Sequence, residues 1–155
     1  MKAEAGQGPR MPFGNMRFRV EIEGLPGEGA VEVIFPEGRI AARARKAGAV
    51  VYGPLIVRRG LTSCGDWYQW WDEARRGQRP PRRAVRIVLQ DGGGADAAAW
   101  LFSKAVPVAY HLSPLNALGN EVVIETLEMS VGAFETVHGD RAGADRAPSR
   151  RRPRK

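Results

Sequence analysis

A chain of 155 residues, 43% of them hydrophobic, is long enough for one domain with its own core and too short to expect two. No apolar run approaches the roughly 18 residues of a membrane span, the first residues lack the apolar core of a secretory signal, and a single cysteine gives neither an intrachain disulfide nor a metal-ligand pair. The formal charge of +7 is concentrated: residues 139–155 hold seven basic residues against Asp140 and Asp145, a net of +5 that leaves +2 for residues 1–138. The high isoelectric point therefore belongs to an appendage and does not argue for a nucleic-acid-binding fold. These features lead to the expectation of a protein made and folded in the cytoplasm that inserts in no membrane.

Residues 1–15 are rich in Gly and Pro without periodicity, which predicts a flexible arm over residues 1–11. From Met16 to Glu23, Phe18, Val20 and Ile22 alternate with charged residues, the pattern of a strand with one core face. A turn cluster around Pro26 leads to a second strand, Val31 to Phe35. Glu37 to Ala49 is basic and small, bracketed by Gly38 and Gly48, and reads as a loop or a loose hairpin arm. Val50 to Arg58 reads as a third strand, placed at an edge or a bulge because Pro54 has no N–H to donate.

Ser63 to Arg76 is the one predicted helix, with Ser63 and Asp66 spaced as a capping box and Gly77 at its end. Trp67, Trp70, Trp71 and Ala74 form one apolar stripe, so this helix is expected to plug one side of a sheet. A Pro- and Arg-rich loop, Gln78 to Arg83, follows. Val85, Ile87 and Leu89 then mark a strand, Asp91 to Gly94 a hairpin turn, and Ala98 to Lys104 its return. Pro107 is expected to separate that return from a short strand, Val108 to Leu112. The stretch from Leu112 to Asn120 is turn-rich, with Gly119 or Asn120 suited to positive φ. The strand after it has Val123, Leu127, Met129 and Val131 on one face, interrupted by Glu125. The count is about seven strands and one helix, a mainly β fold, an antiparallel sandwich or barrel with a helical cover over residues 12–138, followed by a basic disordered tail.

The chain presents no catalytic constellation. Cys64 sits near the predicted helix start with no histidine close in sequence, and the isolated His111 and His138 do not make a metal site. Gly92-Gly93-Gly94 lacks the Lys-Ser/Thr of a phosphate loop. The acids Glu121, Glu125 and Glu128 are better read as solvated or cross-chain salt-bridged residues, and the tryptophans as core rather than as a stacking platform. No enzyme and no cofactor is expected.

Five stretches, in order, carry a resemblance. They are Pro12 to Gly24, Glu32 to Glu37, Tyr52 to Thr62, Trp67 to Gly77, and Leu112 to Glu121 with Ile124 to Glu128. In these the chain resembles the tail-tube protein family of contractile phages and phage-tail-like injection systems, whose fold is shared with the secreted ring protein of type VI secretion. The resemblance implies six-fold rings that stack into a hollow tube inside a contractile sheath, with strands of neighbouring subunits joined into a barrel lining the lumen. It implies as partners further copies of the chain, related tube rings, sheath and baseplate hub proteins, and cargo in the lumen.

Candidate assembly residues are Arg39, Arg43, Arg45 and Lys46 in the arm, Arg58 and Arg59 in the third strand, and Asn116, Asn120, Glu121 and Glu125 in and after the loop, with Trp67, Trp70 and Trp71 packing the helix. The chain departs from the family in its arm, because Gly38 to Ala49 is short, Ala/Arg-rich and lacks a Lys-Leu-Pro-Gly run. That points to a specialised ring, at the baseplate or at the end of the tube. The alternative reading is a nucleic-acid-binding protein acting through Arg141, Arg146, Arg150, Arg151, Arg152, Arg154 and Lys155.

Overall fold

The computed structural model describes residues 12–14, 17–26, 29–41 and 48–138. The expected flexible arm up to residue 11 and the tail from residue 139 lie outside them. Within them are nine strands and one helix in the order β1 (Phe18–Ile22), β2 (Ala30–Ile34), β3 (Gly38–Ile40), β4 (Val50–Tyr52), β5 (Leu55–Gly60), α1 (Asp66–Arg75), β6 (Arg83–Gln90), β7 (Asp96–Leu112), β8 (Ile124–Ser130) and β9 (Ala133–His138).

The 17-residue β7 is the spine. Its leading half pairs with β6 on one side and β9 on the other, and β1 extends this first sheet beyond β6. Its trailing half pairs with β8, and β5 and β2 extend a second sheet beyond that. All these pairs are antiparallel. The two sheets fold face to face over one core that contains Val20, Ile22, Val85, Ile87 and Phe102 from the first and Leu55, Val57, Leu127 and Met129 from the second.

The corner lies where β8 gives way to β9. Ser103 pairs with Ala133 and Val106 with Ser130, so Val131 and Gly132 turn the partner strand opposite Lys104 and Ala105. Lys104 takes φ 52°, the left-handed region that costs a side-chain-bearing residue about 1 kcal/mol. Gly132 donates to the Ser103 carbonyl at 2.9 Å, and a Cβ on it would meet Lys104 Cβ at 3.3 Å. A side chain there would press on Lys104.

Several expectations change. Pro107 does not end a strand: β7 runs through it, and the proline sits at a register shift against β8, where a missing N–H disturbs the ladder least. Val50 to Arg58 is not one edge strand. Gly53 and Pro54 divide it into β4, paired with β3 in a small hairpin, and β5, which is interior between β2 and β8. The arm is thus a hairpin at its base, while residues 42–47 lie outside the described part. β9 and β3 were not anticipated. β8 begins at Ile124 rather than directly after the turn-rich stretch that ends at Asn120, and Gly119 and Asn120 are not among the described residues with positive φ. Asn116 shapes that loop instead, its side-chain oxygen accepting from the Leu118 N–H at 3.0 Å.

The helix begins later than expected, at Asp66, with Gly65 at its N-cap and no side-chain cap. With Gly65 at the N-cap, Ser63 and Asp66 do not occupy the N-cap and N3 positions of a capping box, and Cys64 precedes the first turn. The far end closes as expected: Gly77, at φ 73°, donates to the Ala74 carbonyl. Trp67 and Trp70 are buried in the common core and Trp71 is half-buried against it. Burying each of the first two contributes about 4–6 kcal/mol as an upper figure.

Candidate assembly interface

Two surfaces and one buried network organise the candidate residues. The network comes first, because it fixes what is not surface. On β5, Leu55, Val57 and Arg59 share the core-facing side, and on β8 so do Glu125, Leu127 and Met129; Arg59 and Glu125 are register partners. Arg59 is 4% exposed and Glu125 1%. The guanidinium bonds Glu125 through Nε and Asp66 through Nη2, and lies 3.9 Å over the Trp67 ring. The Tyr110 hydroxyl donates to the second Glu125 oxygen at 2.7 Å. Burial alone would lower the Arg59 pKa, but the hydrogen bonds to Asp66 and Glu125 outweigh it and the net shift is upward. Burial, reinforced by the bond to Glu125, pushes the Tyr110 phenol upward too.

Arg59 and Glu125 are therefore not assembly residues exposed on the surface. Their charges are matched inside the chain, where they tie the start of α1 to the second sheet. Sequence reasoning placed them outside because it treated each charge singly. The usable signal was that both occupy core-facing positions of alternating strands, and two opposite charges at such positions can pair.

The other assembly candidates among the described residues stand on the surface. Arg58, on the opposite side of β5, bonds the Thr126 hydroxyl at 3.2 Å and lies 3.6 Å from Glu32 on β2. Arg39 is exposed and pairs with Glu37 at 2.7 Å. Asn116, Asn120 and Glu121 are exposed on the β7–β8 loop. Arg43, Arg45 and Lys46 lie outside the described residues.

The same loop carries what the sequence reading missed: Leu115 is 84% exposed, Leu118 98% and Val122 72%. Ile40 and Val51 are likewise exposed on the β3–β4 hairpin. Exposed apolar side chains on a loop and on a hairpin are candidates for contact with another chain.

The outer face of the first sheet is of the opposite character. Arg19 grips Asp96 with two bonds, 2.8 and 2.9 Å, and Glu21 with a third of 2.9 Å, while Arg86 approaches Glu21 at 3.5 Å. Burial opposes ionisation of Glu21, yet Arg19 and Arg86 outweigh it and hold its carboxyl below the usual range. The charged groups of this face are paired across β1, β6 and the start of β7, while Val88, Ala99, Leu101 and Val137 stand in the same rows. Along its margins, β1 and β9 each have one strand neighbour among the described residues, so each leaves a row of backbone donors and acceptors unpaired.

Among the described residues there is no group of three or more His, Cys, Asp or Glu side chains suited to a metal ion, and no helix long and apolar enough to cross a membrane.

A family model described as T4-like virus tail tube protein gp19 matches residues 14–135. The fold is similar to a chain in the cryo-EM structure of the anti-feeding prophage baseplate, 6-fold symmetrised, at 20% identity and a TM-score of 0.67, covering 84% of this chain and 98% of that one. It is similar to a chain in the sheath/tube terminator of the PVC extracellular contractile injection system, at 14% identity and a TM-score of 0.69, covering 84% and 99%. It is also similar to Hcp1 from Flavobacterium johnsoniae, at 14% identity and a TM-score of 0.60, covering 79% and 95%. At these identities the structural likenesses establish the fold. No protein with a curated description matches the sequence.

Proposed function

Because this chain belongs to the T4-like virus gp19 tail tube protein family, we propose that it acts as a structural subunit of the inner tube of a contractile phage tail or phage-tail-like injection system, six copies closing a ring and rings stacking into a conduit. The observation that carries this is the first sheet: an outer face whose charges are paired within the chain, bounded by two open edges, β1 and β9. An open edge on each side lets one copy pair with the next head to tail, and closing the ring removes both edges from solvent. The ion-paired face then lines the lumen, and the exposed leucines of the β7–β8 loop and the apolar hairpin β3–β4 meet neighbouring copies.

The ring is a specialised one, at the baseplate or at the end of the tube. The support for this is the arm, whose strands β3 and β4 are three residues each. Its partners are further copies of itself, related rings, and sheath and baseplate proteins, and it assembles in the cytoplasm. The role is mechanical, not enzymatic.

Negative-stain electron microscopy with light scattering tests both levels. Six-fold rings are expected, and they should remain single or assemble on a partner. Long tubes from the purified chain alone would overturn the specialised role, and a monomer under every condition would overturn the ring.

A further inference from the structure

We propose that the basic surface formed by the last turn of α1 and the loop behind it, Arg75 to Arg82, docks an acidic protein surface through forked guanidinium–carboxylate contacts. Arg75, Arg76, Arg79 and Arg82 all lie exposed within eight positions. The loop is held rather than free. After the turn at Gly77, Pro80 and Pro81 restrict the chain, Trp70 Nε1 donates to the Pro81 carbonyl at 3.1 Å, and Arg83 lies over the Trp70 ring while donating to the Glu23 carbonyl at 2.7 Å. The segment thus folds back along the helix, and the cost of ordering it is met before any partner arrives.

The donors on this surface are incompletely used. Arg75 and Arg76 share one carboxylate, Asp72. Arg79 and Arg82 have no hydrogen bond or ion pair among the described residues. A guanidinium presents five donors in a planar fork that matches a carboxylate. Beside them stand Tyr68, exposed, and Trp71, with the Arg75 guanidinium 5.4 Å above the Trp71 ring. Arginine with tyrosine and tryptophan is the composition of energetic centres in protein–protein contacts. Asp72 and Glu73 lie inside the patch and would repel a continuous phosphate backbone, whereas a protein surface can place its carboxylates between them. The helix packs into the core shared by both sheets, away from the ion-paired outer face of the first. That the patch points outward from the conduit rests on the tube reading; that it captures carboxylates does not.

The test is fluorescence anisotropy of a labelled Glu/Ala-rich helical peptide, and separately of mixed-sequence duplex DNA, against the full chain. The peptide is expected to bind, to weaken at least about tenfold with R79E/R82E, and to weaken several-fold with R79K/R82K, which keeps the charge but loses the fork. The tail variant R150E/R151E/R152E should retain peptide binding. Both arginine positions are exposed, so these variants should melt with the parent, and the lysine pair keeps the test valid if charge reversal disturbs folding. Peptide binding that survives R79E/R82E, that disappears only with the tail variant, or that is weaker than DNA binding through Arg79 and Arg82 overturns the proposal. Because the readout does not require a ring, a chain that fails to form rings can still pass it.

Discussion

Arg59 and Glu125 face each other across neighbouring strands β5 and β8 with almost no access to water, and Asp66 completes the pairing from the first turn of α1. Removing one member of such a set leaves a buried charge uncompensated. Arg59→Ala is expected to cost about 3–5 kcal/mol in urea unfolding, whereas the double variant Arg59→Met with Glu125→Leu should recover only part of that, because Asp66 and the Tyr110 hydroxyl still lose their partners. A single-variant loss below about 1 kcal/mol would mean that the pair is solvated.

Tyr110 gives the same network a pH dependence. Its folded pKa is raised above the ordinary value of 10.0, first by burial and then by the bond to Glu125. The sign follows: above pH 10 the unfolded chain releases this proton while the folded chain keeps it, so stability present below pH 10 falls as pH rises. Tyr110→Phe should lose about 1.5–3 kcal/mol at neutral pH and flatten the alkaline slope. Denaturant midpoints on either side of pH 10 measure both, and an unchanged slope would remove Tyr110 as its source.

Lys104 holds a left-handed backbone at the bend between the two sheets. Lys104→Gly should raise stability by up to about 1 kcal/mol. Gly132→Ala should lower it, because the new methyl meets Lys104 Cβ at 3.3 Å. Opposite thermal shifts from these neighbours are the signature, and a shift in the same direction would contradict the described corner.

Trp70 is buried and anchors both the core and the arginine loop through Pro81. Trp70→Ala should cost about 3–5 kcal/mol, with Trp71→Ala costing clearly less because Trp71 is only half-buried. Chemical denaturation of the two variants ranks them.

Leu115 and Leu118 contribute little to the folded chain, since both are nearly fully exposed. Leu115→Asp/Leu118→Asp should leave the melting curve within about 0.5 kcal/mol of the parent while abolishing the rings seen by microscopy. Rings that persist in this variant would place the contact elsewhere.

What the sequence by itself determined was local. Alternation placed β1, β2 and β6, the spacing of Trp67 and Trp70 placed the buried stripe of α1, and Gly77 its end, because periodicity and turn chemistry act within a few residues. The five ordered stretches also point to the family whose model matches residues 14–135. What only the tertiary structure decided depended on partners distant in sequence. Pro107 reads as a strand break until β8 is seen to shift register beside it. Asp66 reads as a helix-start residue until it is also seen to pair with Arg59. Glu125 reads as a surface acid until Arg59 and Tyr110 close around it, 66 and 15 residues away along the chain. A charge is bearable in a core only when its counter-charge arrives with it, and which strand brings that counter-charge is settled by the pairing of the sheet.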